Sequence, residues 1–131
     1  MVLGTAPLFA LALIFAAMNL GAEVVTLTTV DAAGQTLDTP LWVLDDGDAL
    51  WIRAERPTSD WLRRLRERPR IELERDGKRR SYRALPMPEE REHVNRLMAD
   101  RYGWVEVMMA RFQNRSAATP IRLIELVDPK S

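Results

Sequence analysis

Two Asp-Gly dipeptides, Asp46-Gly47 and Asp76-Gly77, each sit between arms rich in β-type residues. Asp-Gly tolerates the positive φ angles of a two-residue hairpin turn, so the flanking arms are expected to pair antiparallel. The second case is the cleaner one. Ile71 and Leu73 alternate with Glu72 and Glu74 in "RIELER", and the return arm "KRRSYRAL" sets arginines across from those glutamates. The first dipeptide joins "TLDTPLWVLDD" (36–46) to "DALWIRA" (48–54). The former is apolar on both faces from Leu41 to Leu44 and is therefore read as a buried strand.

The rest of the chain falls into place around these hairpins. "EVVTLTTV" (23–30) is β-branched and reads as the first strand, with "DAAGQ" as the turn that follows. Thr58, Ser59 or Asp60 can cap a helix whose apolar stripe is Trp61, Leu62 and Leu65, with Arg63, Arg64, Arg66 and Glu67 facing out and Pro69 ending it. Pro88, Glu89 and Glu90 open a second helix that buries Val94, Leu97 and Met98. Gly103 interrupts this helix, "WVEVMMARF" (104–112) is expected to continue it, and 119–128 is the last strand. The order is β-β-β-α-β-β-α-β. Six short strands joined by hairpins, with two helical insertions, predict a mainly β, six-stranded antiparallel split barrel spanning residues 23–131.

Ahead of it, residues 1–22 carry no ionisable side chain. A membrane-spanning helix needs roughly 20 such residues, so the segment reads as an N-terminal apolar helix that anchors the protein. A cleaved signal or a core helix are the other readings. A signal normally opens with basic residues, and the first Lys or Arg here is Arg53. The missing flanking charge also leaves membrane topology unassigned. Lys plus Arg equals Asp plus Glu at 19 each, which argues against a general nucleic-acid binder. With no cysteine, disulfides are out, and His93 as the only histidine argues against a zinc site or a Ser-His-Asp triad. His93 itself is read as a surface helix residue.

The arginines divide into two groups. Arg63, Arg64, Arg66, Arg75, Lys78, Arg79, Arg80 and Arg83 are interleaved with acids and read as a solvated mixed-charge surface. Arg53 and Arg56 differ because they flank the turn into a helix. Free N–H groups and a partial positive charge collect at a helix N-terminus, so two guanidiniums plus Thr58 and Ser59 could clamp a phosphate. The plainer alternative is that Thr58 or Ser59 only caps the helix, and that the arginines pair with Glu55 or Asp60.

The stretches "TLTTVDAAGQTLDTPLWVLDDGDALWIRA", "SDWLRRLRERPRIELERDGKRRSYRA" and "PEEREHVNRLMADRYGW" together resemble the FMN-binding split-barrel superfamily, the pyridoxamine 5′-phosphate oxidase-like fold. Within it the chain is most similar to the deazaflavin-dependent nitroreductase branch. The resemblance implies that Thr39, Pro40, Leu41 and Trp42 line the isoalloxazine site. It also implies that Arg53, Ala54, Arg56, Thr58 and Ser59 hold the cofactor phosphate, and that Trp61 begins the helix closing at Arg68-Pro69. The His-Pro that often precedes this tryptophan is Ser59-Asp60 here, so both FMN and the deazaflavin F420 stay open as cofactors. The implied function is a flavin- or deazaflavin-dependent oxidoreductase, working as a homodimer and passing a hydride to a quinone- or nitro-like acceptor. No general acid or base stands out, and no metal is called for. The alternatives are a non-catalytic barrel that binds a cofactor or apolar ligand, and a membrane-surface module that uses the arginine-rich hairpin.

Overall fold

Both hairpins form. Asp76 and Gly77 take φ of 53° and 75°, with Arg75 paired to Lys78 across them. Two consecutive positive φ angles make this a type I′ turn, whose twist matches that of the strands it joins. In the other hairpin Asp46 pairs with Ala49, so the turn residues are Gly47 and Asp48, one position later than the Asp-Gly signal suggests. Gly47 carries the positive φ of 59° at the first turn position, and among the described residues Asp76 is the one non-glycine with positive φ. This is the type II′ pattern. The structure, a computed structural model, describes residues 23–103 and 117–127.

Among the described residues there are seven strands: β1 (Val24–Val30), β2 (Thr36–Trp42), β3 (Leu44–Asp46), β4 (Ala49–Ala54), β5 (Arg70–Arg75), β6 (Lys78–Pro86) and β7 (Thr119–Glu125). Two α-helices, α1 (Asp60–Glu67) and α2 (Arg91–Tyr102), complete them, with a single 3-10 turn at Pro88–Glu90 before α2. The sheet order is β2-β1-β5-β6-β7-β4-β3, and every pairing is antiparallel. Seven strands replace the expected six because segment 36–46 does not run as one strand. It breaks at Val43: Trp42 still pairs with Val24 of β1, whereas Leu44 pairs with Trp51 of β4. The two edges of the sheet are thus consecutive in sequence, and the sheet curls until they meet at Val43. Pro40 is tolerated because β2 pairs on one side only, with β1, so a missing N–H costs no ladder bond.

The run of apolar residues through the kink supplies both faces of the wall. Leu41 and Val43 point into the barrel, among Val25, Leu27, Ile52, Ala54, Ile71, Leu73, Tyr82, Ala84, Ile121 and Leu123. Leu62 and Leu65 of α1 join this cluster, with Trp61 half-buried against it, as the helical stripe predicts. Arg64 departs from its expected outward position. It is half-buried, and its Nε donates to Thr29 Oγ1 at 2.7 Å, fastening α1 to β1. Trp42, Leu44 and Trp51 face the other way and meet Val94, Met98 and Tyr102 of α2, with Leu97 packed alongside. Gly103, at φ 58°, ends α2 by donating to the Ala99 carbonyl.

Arg75 departs from the solvated-surface reading as well. Its Nε and Nη2 donate to Glu23 at 2.7 and 2.9 Å, and its Nη1 donates to Asp45 at 3.0 Å, with Nη2 also reaching Asp45. One guanidinium therefore ties the end of β5 to the entry of β1 and to β3. The hydrogen bond from Arg75 holds the Asp45 carboxyl below the usual carboxylate range. Its folded-state pKa is depressed, so this contribution is present above the ordinary value near 4 and is lost as pH falls through the folded value. Arg75→Met is expected to cost about 1–2 kcal/mol in urea unfolding at pH 7. Asp45→Asn should flatten the acid limb of the stability profile below about pH 4, and an unchanged limb would refute the assignment.

The apolar segment 1–22 and the helix expected over 104–112 lie outside the described residues. Among the described residues no helix is long and apolar enough to cross a membrane. The last strand ends at Glu125, ahead of the expected 128.

Candidate cofactor site

The turn between β4 and α1 is closed on itself. The Ser59 N–H donates to the Arg56 carbonyl at 3.2 Å, and the Ser59 hydroxyl donates to the same oxygen at 2.9 Å. Ser59 is the N-cap of α1, but its hydroxyl is turned back to Arg56, so the helix receives no side-chain cap. The first intrahelical bond is Arg63 N–H to Ser59 C=O at 3.2 Å. The free N–H groups that begin any helix thus stay available at α1. Around them the charges nearly cancel: Asp60 pairs with Arg63 at 3.1 Å, and Glu55 pairs with Arg53 at 3.4 Å. Arg56 is exposed and meets no carboxylate among the described residues, so the turn carries a net positive charge beside the exposed Thr58. This set suits an anionic group: a helix start without a side-chain cap, a guanidinium and the Thr58 hydroxyl, the Ser59 hydroxyl being committed to Arg56.

Arg53 is placed elsewhere. It shares the outer face of β4 with Trp51 and is 3 % exposed. Its Nε and Nη2 both reach Glu55 Oε1 at 3.4 Å, and its Nη1 donates to Asn95 Oδ1 of α2 at 3.0 Å. The pairing with Glu55 is the plainer alternative that the sequence offers for Arg53. Asn95 was not legible as its second partner, because only the docking of α2 on β4 brings the two together. Arg53 therefore sits behind the turn and braces it through Glu55.

The segment Thr39–Trp42 is split by the alternation of β2. Leu41 is in the barrel core, as is Ala54 at the end of β4. Trp42 lies under α2, stacked on Tyr102 with ring centroids 4.6 Å apart and planes 20° from parallel. Thr39 and Pro40 are half-buried on the edge strand. Among the described residues the indole N–H groups of Trp42 and Trp51 are buried without an acceptor. Tyr102 donates its hydroxyl to the Val43 carbonyl at 2.5 Å, and burial pushes its pKa up to about 12. Tyr102 is thus part of the buried cluster between β4 and α2. His93 is on the surface of α2, with its Nε2 2.9 Å from Asp46 Oδ2.

The sequence profile of the F420H(2)-dependent quinone reductase family matches residues 15–124, most of the chain. The chain belongs to this family. No match is found among curated protein sequences. Solved structures similar to this family member share its split-barrel fold. HutZ, a heme storage protein from Vibrio cholerae, is 15 % identical, with 82 % of this chain and 84 % of that one covered and a TM-score of 0.63. An F420-H2 dependent reductase, FDR-A, is 20 % identical over 76 % of this chain and 93 % of its own, with a TM-score of 0.60. A putative pyridoxamine 5′-phosphate oxidase from Listeria innocua is 14 % identical over 89 % and 94 %, with a TM-score of 0.58. The expected resemblance to the split-barrel superfamily and its deazaflavin branch is thereby met, and a flavin-type cofactor goes with it.

Proposed function

We propose that the protein is an F420-dependent oxidoreductase that passes a hydride to a quinone-like acceptor and holds the cofactor phosphate at the turn between β4 and α1. The family match over residues 15–124 is the observation that carries this reading. When bound, the reduced deazaflavin supplies the hydride. The chain supplies grip and orientation. Arg56, Thr58 and the first N–H groups of α1 receive the phosphate, Ser59 folds the turn that presents them, and Arg53 and Ala54 hold that turn from behind. Thr39 and Pro40 border the ring, backed by Leu41 and Trp42, and Trp61 seats the helix that presents the phosphate site. A nitro-like acceptor is the neighbouring possibility for the same chemistry. The reading extends to a homodimer and to a membrane tether through residues 1–22 ahead of a barrel domain at 23–131, which sedimentation of the detergent-solubilised chain and membrane fractionation would test.

The test is a fluorescence titration of the purified protein with F420, with FMN, and with the deazaflavin chromophore that lacks the phosphate arm. F420 is expected to bind. Arg56→Ala should weaken F420 about tenfold to a hundredfold, the range for loss of a hydrogen bond to a charged group, and leave the phosphate-free chromophore unchanged. Absence of binding by either F420 or FMN would remove the oxidoreductase reading. Binding without quinone reduction would leave a cofactor-holding barrel instead.

A further inference from the structure

The charges on the outer face of the barrel are not evenly matched. Along β5, β6 and β7 the inward positions are Ile71, Leu73, Tyr82, Ala84, Ile121 and Leu123. Alternation therefore puts Arg70, Glu72, Glu74, Arg79, Arg83 and Arg122 on the outside. Arg79 serves both acids, reaching Glu72 at 3.7 Å and Glu74 at 3.6 Å. That leaves three arginines over. Arg70 is directly opposite Arg83 in the β5–β6 register. Arg83 faces Ile124 on β7, and Arg122 faces Leu85, so Arg122 is the diagonal neighbour of Arg83. All three are exposed, and among the described residues none meets a carboxylate. The other arginines of the barrel wall behave differently: Arg53, Arg75 and Arg80 each have an acidic partner.

Like charges directly opposite on neighbouring strands destabilise a sheet, and a diagonal neighbour is still within reach of a long side chain. A chain with 19 basic and 19 acidic residues had acids to spend here, yet the stripe has none. Beside it lies a depression of about 240 Å³ lined by Thr28, Val30, Arg70, Ile71, Glu72 and Ser81. Its acid, Glu72, is matched by Arg79, and the Thr28 hydroxyl is committed to Asp38 at 2.7 Å. Arg70 and the Ser81 hydroxyl are what remain to meet a ligand.

We propose that Arg70, Arg83 and Arg122, with the Ser81 hydroxyl, form a binding site for a phosphate-bearing anion on the outer face of the barrel. A planar guanidinium donates to two phosphate oxygens at once, and an anion between Arg70 and Arg83 offsets their mutual repulsion. The exposed Ile124, opposite Arg83 and two residues along β7 from Arg122, adds an apolar side chain beside the stripe, which suits a lipid headgroup; a soluble phosphate ester has the same anionic chemistry. This site is independent of the turn between β4 and α1 and stands or falls without it.

The experiment uses the full chain and its Arg70→Gln/Arg83→Gln variant in phosphate-free buffer. Co-sedimentation with phosphatidylcholine vesicles is compared with vesicles of phosphatidylcholine and phosphatidylglycerol at 3:1, and amide shifts are followed during titration with glycerol 3-phosphate. Binding to the anionic vesicles should exceed binding to neutral ones by about tenfold or more, and the variant should lose that excess. Glycerol 3-phosphate should move the amides of Arg70, Ser81 and Arg83 in the wild type only. A vesicle effect identifies a headgroup site; a shift with glycerol 3-phosphate and no vesicle effect identifies a soluble phosphate ester. Neither effect, or the same effect in the variant, overturns the proposal. Because the two side chains are exposed, the variant is expected to fold. Arg83→Gln alone should raise Tm by about 2–4 °C through relief of the like-charge pair, and a lowered Tm would also count against the site.

Discussion

Arg53→Ala is expected to cost about 3–5 kcal/mol of folding stability, more than any other single charge change in the described structure. The guanidinium is enclosed between β4 and α2 and holds Glu55, whose side chain is 16 % exposed. Removing Arg53 takes from that largely buried carboxylate the guanidinium that meets its Oε1, and takes from Asn95 Oδ1 the donor at 3.0 Å. The loss measures what the buried partners forfeit rather than the net worth of the pair. The double variant Arg53→Met/Glu55→Gln should therefore recover much of it, since a buried ion pair replaced by well-packed neutral side chains is often close to neutral. Urea unfolding of the two variants separates these terms. If the single and double variants are equally destabilised, Arg53 acts through packing alone. The same pair of variants bears on the cofactor reading, because the double variant keeps Arg56, Thr58 and Ser59 while changing what braces their turn. Its F420 affinity should fall by less than that of Arg56→Ala.

How far the sequence reveals this molecule depends on the range of the interaction concerned. Local signals were sufficient for both hairpins, for the buried stripes of α1 and α2 and for the interruption at Gly103, because each rests on residues within a few positions of one another. The type II′ turn shows the limit of that precision: Asp46-Gly47 announces a turn, but the pairing of Asp46 with Ala49 moves it on by one residue. The break at Val43 was not legible. A run that is apolar on both faces is what a buried strand and a strand changing edges both look like. The candidate site follows the same division. Arg56, Thr58 and Ser59 are neighbours in sequence and remain neighbours in space. Arg53, two residues before Glu55, points the other way, and its link to Asn95 spans 42 positions. Arg64 and Arg75 read as solvated because their partners Thr29, Glu23 and Asp45 are contributed by distant strands.

The break at Val43 also locates the second large effect. Tyr102→Ala is expected to cost about 3–5 kcal/mol, the usual range for deleting a buried aromatic ring. Val43 belongs to neither the β1–β2 nor the β3–β4 ladder, so its carbonyl relies on the Tyr102 hydroxyl from α2. The ring stacks on Trp42, with the Arg101 guanidinium 4.9 Å from its centroid on the solvent-exposed side chain of the same helix. Tyr102→Phe keeps the stack and removes only the hydrogen bond, at a cost of about 1–3 kcal/mol for the carbonyl left without a donor. The two variants therefore divide the effect into a ring and a hydroxyl contribution. Alkaline pH probes the hydroxyl independently. Burial raises the folded-state pKa of Tyr102 to about 12, above the ordinary value near 10. A raised folded pKa gives stability that is whole below pH 10 and is lost as pH climbs through 12. Tyr82, also raised by burial, contributes in the same direction, so Tyr102→Phe should make the alkaline loss of stability shallower without abolishing it. Hydrogen exchange should locate the defect: faster exchange in Tyr102→Ala is expected at β2, β3 and α2 and not at the β5–β6 hairpin. Uniform acceleration over the whole barrel would mean that Tyr102 supports global stability and has no special part in holding the strand where it changes edges.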